Sequence, residues 1–98
     1  MKRRETYYKD YGLSNDDVKR LKSLCKKLDE DGQIALFGCA VSANIGVASL
    51  IYISLVHGLS YDLISSIMYI PISKTDFYAY QRYCLYLFSK KQSELQTK

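Results

Sequence analysis

Apolar side chains in "SNDDVKRLKSLCKKL" fall at Val18, Leu21, Leu24, Cys25 and Leu28, a spacing that lays one apolar stripe along a helix. Ser14 stands where an N-cap belongs, and Asp16 and Asp17 occupy the first turn, where negative charge suits the helix dipole. Lys19, Arg20, Lys22, Lys26 and Lys27 take the other faces, and "DEDG" is expected to end the helix. The next thirty positions, residues 32 to 61, hold no Lys, Arg, Asp or Glu. Within them Ile34 to Val56 has the length and apolarity of a membrane span. Asn44 and Gly46 interrupt it as "SANIG", which would leave an amide and a broken backbone ladder in hydrocarbon. Its flanks, "DEDG" and "SYD", also lack the basic and Trp anchors of a span. Two short buried helices, about 33–43 and 47–57, account for the same residues, so no membrane partner is expected.

Gly58 is placed to cap the third helix, and "GLSYDLISSI" opens a fourth, with Ser60 as N-cap and Asp62 in the first turn. Leu63, Ile64 and Ile67 are expected to point inward. Pro71 cannot continue that helix and disfavours a helical Ile70, so the chain turns at "MYIPIS". Ser73 and Asp76 then form a Ser-x-x-Asp start to a long last helix. Its core stripe is Phe77, Tyr80, Cys84, Leu87 and Phe88; the other face shows Lys74, Thr75, Tyr78, Arg82 and, further along, Leu85 or Tyr86. The expected fold is all-α, a compact bundle of about five helices forming a single helical domain over 1–98. Residues 1–13 would be an N-terminal arm and 58–90 a helix-turn-helix, a short helix and a longer one joined by a tight connection.

Composition narrows this picture. At 48% hydrophobic, with one Pro and five Gly among 98 residues, the chain is neither disordered nor repetitive, and it is long enough for one core. Cys25, Cys39 and Cys84 are odd in number, widely spaced and set among apolar neighbours, which fits core packing in a reducing cytoplasm better than disulfides or a zinc site. His57, the single histidine, precedes Gly58 at the end of an apolar run and reads as structural. The start "MKRRETYYKDYG" is basic, as an export signal is, but polar residues follow where an apolar region should stand. Tyr7, Tyr8 and Tyr11 in that arm either fold back on the core or reach a partner. Net charge is +4, and every Lys and Arg lies in residues 2–27 or 74–98. Those basic ends are either a solvated surface or a face for an anionic partner.

"GLSYDLISSI" followed by "ISKTDFY" resembles the region 4 helix-turn-helix of sigma factors and related small phage transcription regulators, whose segments commonly read G-L-S-Y-E-E-I-A-E-I and then I-S-K-S-T-V-Y. Gly58, Leu59, Ser60, Tyr61, Asp62, Ile64 and Ile67 match the first part; Ile72, Ser73, Lys74, Phe77 and Tyr78 match the second. The likeness covers about the last forty residues. Met68, Tyr69, Ile70 and Pro71 replace the family's short Leu-Gly turn, leaving a connection about two residues longer and without its Gly.

The resemblance implies a small cytoplasmic DNA-binding transcription regulator, of phage or mobile-element origin, with the last helix in the major groove. Ser73, Lys74, Thr75, Tyr78 and Arg82 would then touch bases or phosphates, and Lys19, Lys22 and Lys26 would add phosphate contacts if the first helix lies on the same side. RNA polymerase is a further conceivable partner, and a homodimer is compatible with the sequence. An enzyme is not expected: no Gly-rich phosphate loop, paired-His motif or nucleophile elbow is present, and no cofactor or metal is called for. Asp16, Asp17, Asp62 and Asp76 read as capping charges. The alternative is a small phage-encoded inhibitor of a host polymerase or defence nuclease, for which the ten Tyr would supply rigid contact area.

Overall fold

Ser14 starts the first helix as its chemistry directs. In the computed structural model, which describes residues 8–96 and side chains as far as Gln92, the Ser14 hydroxyl accepts from the Asp17 N–H at 3.1 Å. The Asp17 carboxylate accepts from the Ser14 N–H at 3.0 Å, completing a capping box on α1 (Asn15–Cys25). The bond from the Ser14 N–H first, and the Ser14 hydroxyl beside the carboxylate second, hold the Asp17 carboxyl below its ordinary pKa.

"DEDG" begins the second helix and does not end the first, which closes at Cys25: α2 runs Glu30–Ala43, three residues earlier than the expected start at 33. The reason is local. Asp29 accepts from the Gly32 N–H at 2.8 Å as N-cap, and Glu30 and Asp31 sit in the first turn. Asn44 then turns the chain by accepting from the Gly46 N–H, through a 3-10 turn at Ile45–Val47, into α3 (Ala48–His57). The charge-free stretch is therefore two helices folded back on each other, and among the described residues no helix is long and apolar enough to cross a membrane.

Gly58 closes α3 in the left-handed conformation (φ 67°), with its own N–H and that of Leu59 returning to the Ser54 carbonyl. Ser60 caps α4 (Tyr61–Ile67), and Ser73 accepts from the Asp76 N–H to open α5 (Lys74–Gln96). The described residues thus form an all-α bundle of five α-helices, with α5 packed most extensively against α2 and also touching α1, α3 and α4.

Because α5 has neighbours on several sides, its buried surface is wider than a single stripe. Phe77, Cys84 and Phe88 are buried as expected, Tyr80 and Leu87 lie at the margin, and Leu85, assigned to the free face, is fully buried. Cys25, Cys39 and Cys84 join the same core from α1, α2 and α5 as free thiols. Burial pushes the Cys25 thiol up to about 12 and raises Cys39 and Cys84 as well. His57 is exposed at the last turn of α3.

The fourth helix departs from its expected inward face. Ile64 is buried, but Leu63 and Ile67 are 47% and 69% exposed. With only seven residues, α4 ends at Ile67, and beyond Tyr61 and Ile64 the chain leaves before a further apolar position is covered. At the other end, Tyr8 and Tyr11 fold back: Tyr8 packs against the core and Tyr11 stacks on Tyr86 with centroids 4.6 Å apart. Tyr7 and the rest of residues 1–7 of the arm lie outside the described residues.

Candidate nucleic-acid interface

The connection 68–73 is held by a side chain from the helix before it. The Tyr61 hydroxyl donates to the Ile72 carbonyl at 2.8 Å, while the Tyr61 N–H donates to the Tyr78 hydroxyl at 2.9 Å. The Phe77 ring meets Tyr61 and Tyr78 edge-on, and Ile64 and Ile70 close the corner beneath. The extra length of the connection bulges outward at Met68 and Tyr69, and the start of α5 stays tied to the start of α4.

Ser73, Lys74 and Thr75 are exposed on the first turn of α5. Lys74 donates to the Asp62 carboxylate at 2.8 Å, and this bond, with the attached Coulomb attraction, raises the Lys74 pKa. Both side chains are more than half exposed, so the pair adds little stability and is open to exchange with another anion. Tyr78 is half-buried, its hydroxyl oxygen already accepting from Tyr61. Arg82 is half-buried too, and its positive charge acts on the Tyr8 hydroxyl, which places it beside the N-terminal turn.

The C-terminal end of α1 meets α5 at Tyr78 and Gln81. Lys22 and Lys26 line a cleft of about 260 Å³ together with Tyr78, and Lys19, although exposed, does not reach it. Of the eight candidate residues, Lys22, Lys26 and Tyr78 are therefore brought together in the cleft, and Ser73, Lys74, Thr75, Arg82 and Lys19 do not line it.

Sequence reasoning missed the floor and corner of this cleft, which are Ser54, Gln81, Gly58 and Ser60 in their lining roles. Ser54 and Gln81 are the buried polar residues of the fold: the Gln81 amide donates to the Ser54 hydroxyl at 2.8 Å, and Ser54 donates to the Leu59 carbonyl at 2.8 Å. Ser54, the lone polar residue inside "LIYISLV", and Gln81, set with Arg82 inside "YAYQRYCLYLF", were the available signal. A separate feature is an apolar ridge of Leu63, Ile67, Met68 and Tyr69, the last 85% exposed. Among the described residues no three His, Cys, Asp or Glu side chains converge to hold a metal ion. No protein-family model matches this chain, and neither does any curated protein or solved structure.

Proposed function

We propose that this chain is a small DNA-binding transcription regulator of phage or mobile-element origin, acting in the cytoplasm as the sigma region 4 resemblance implies. The first turns of α5 read duplex DNA, and α1 grips the backbone beside them. The observation that carries this reading is the meeting of Lys22 and Lys26 with Tyr78 in one cleft, because it brings two cations from the end of α1 to the second turn of α5. Phosphate contacts from such lysines set orientation and supply most of the affinity, while the exposed Ser73, Lys74 and Thr75 read base edges. On binding, Lys74 exchanges the Asp62 carboxylate for a phosphate or base acceptor.

Binding to duplex DNA across a salt series tests this. The parent's affinity falls as salt rises, and Lys74→Glu weakens it by about tenfold or more at low salt. An affinity that ignores salt, or one that Lys74→Glu leaves unchanged, removes the role given to α5.

The ridge of Leu63, Ile67, Met68 and Tyr69 favours a second reading, a small inhibitor that docks on a host polymerase or nuclease. In that case nuclease-treated lysate yields the same protein partner as untreated lysate, and Ile67→Ser with Tyr69→Ser abolishes its capture. Loss of the partner after nuclease treatment returns the choice to DNA.

A further inference from the structure

We propose that the cleft between α1 and the corner joining α3 to α4 is a binding site for a single phosphate group. The DNA reading bears only on where that phosphate comes from.

The lining is cationic and carries no carboxylate. Lys22 and Lys26 stand at the mouth, and the remaining polar groups are hydroxyls and an amide from Ser54, Ser60, Tyr78 and Gln81. Lys22, in the last turn of α1, and Lys26, its C-cap, are four residues apart and line the same cleft. Among the described residues neither has a carboxylate in ion-pair range, in contrast to Lys74 with Asp62 and Arg20 with Asp17.

Lys26 also reaches the turn after α3. Its Cε and Nζ lie 2.9 and 3.1 Å from where a side chain on Gly58 would begin, so the ammonium rests over the glycine corner. That position is beside the C-terminal end of α3, where a cation is favoured.

Two hydroxyls have protons to give. The Tyr78 oxygen accepts from the Tyr61 N–H and the Ser60 oxygen accepts from the Leu63 N–H, and among the described residues neither hydroxyl proton has an acceptor. Ser54 differs, since its proton goes to Leu59 and its lone pair takes the Gln81 amide. The floor is thus satisfied and rigid, while two ammoniums and two hydroxyls at the rim remain as donors.

Donors arriving from α1, from the start of α4 and from α5 surround a tetrahedral oxyanion better than a planar carboxylate, whose two oxygens lie in one plane. At about 260 Å³ the cleft falls below the ~300–1,000 Å³ of sites that enclose a whole small molecule. It suits one phosphate, with the rest of the ligand outside.

The test is a titration of the full chain, followed by amide NMR, with inorganic phosphate in one arm and acetate at matched ionic strength in the other. Phosphate is expected to give saturable shifts at Gly58, Ser60 and the Gln81 side-chain amide, acetate to give none, and Lys22→Gln with Lys26→Gln to weaken phosphate by about tenfold. Absence of saturation, an equal response to acetate, or an unchanged response in the double variant overturns the site. Both lysines are exposed, and an unaltered circular dichroism spectrum certifies the variant's fold.

A short duplex supplies the third arm. If DNA is the source, the double variant lowers the slope of log affinity against log salt by about one. Saturation by inorganic phosphate with no duplex binding keeps the site and defeats the DNA reading. Duplex binding without phosphate saturation keeps the DNA reading and defeats the site.

Discussion

Gly58 carries two demands at one position, and their sizes differ. Its φ of 67° is a conformation that costs an L-residue roughly 1–2 kcal/mol, whereas the contact a new Cβ would make is with the far end of the Lys26 side chain, which can swing away. Gly58→Ala is therefore expected to lower unfolding stability by about 1–2 kcal/mol in a urea titration, and adding Lys26→Ala should recover only a small part of it. Full recovery in the double variant would assign the loss to crowding. Gly58, Ser14, Ser60 and Asn44 were legible from sequence because a cap or an Asx turn involves only a few neighbouring residues. The meeting of Lys22 with Tyr78 was not, since it depends on which side of the bundle α1 packs. Arg82 shows the same limit: it occupies a free face by helical spacing, yet the N-terminal turn lies beside it.

At the level of elements, α2 and α4 show how capping and packing compete. The four residues 29–32 read equally well as an end to α1 or a start to α2, and the hydrogen bond from the Gly32 N–H to Asp29 decides for the start. Asp29→Ala should cost about 1 kcal/mol in the same urea titration and shorten α2 from its N-terminal end, seen as faster amide exchange at residues 32 and 33. Helical spacing gave α4 three inward residues, but a seven-residue helix presents little more than one contact position, and Ile64 takes it. The consequence is measurable: Ile64→Ala is expected to cost roughly 2–5 kcal/mol, and Ile67→Ala to stay within about 0.5 kcal/mol of the parent. Similar losses at both positions would mean that Ile67 is covered in solution.

Across the whole molecule, the five-helix all-α arrangement followed from apolar spacing and turn residues, because each helix is marked by its own ends. The pairing of α5 with α2 was not available in this way, since α2 is apolar over much of its circumference and gives no single facing stripe. Burial in that shared core sets a pH limit. The thiol of Cys25 and the phenol of Tyr8 are each pushed up to about 12, from 9.0 and 10.0, and Cys39 and Cys84 also rise. A raised acid holds its proton longer in the folded state, so the unfolded chain releases protons first as pH climbs. Stability should be level up to pH 9 and then fall towards pH 12, by about 1.4 kcal/mol per pH unit for each thiol that titrates only on unfolding. Thermal unfolding across that range checks the sign, and a thiol reagent at neutral pH should react with the three cysteines only after denaturant is added.

The bond between Gln81 and Ser54 has a consequence for how many structures this sequence can adopt. Leu, Ile and Phe side chains tolerate a helix sliding by a turn along its neighbours, because one apolar contact substitutes for another. A buried amide does not, since it finds the Ser54 hydroxyl at one setting of α5 against α3 and is stranded at the others. The pair works as an index mark, excluding slipped packings more than it deepens the chosen one. Gln81→Leu should then keep its helix content and much of its melting temperature, while its amide NMR lines broaden as α5 samples alternative alignments.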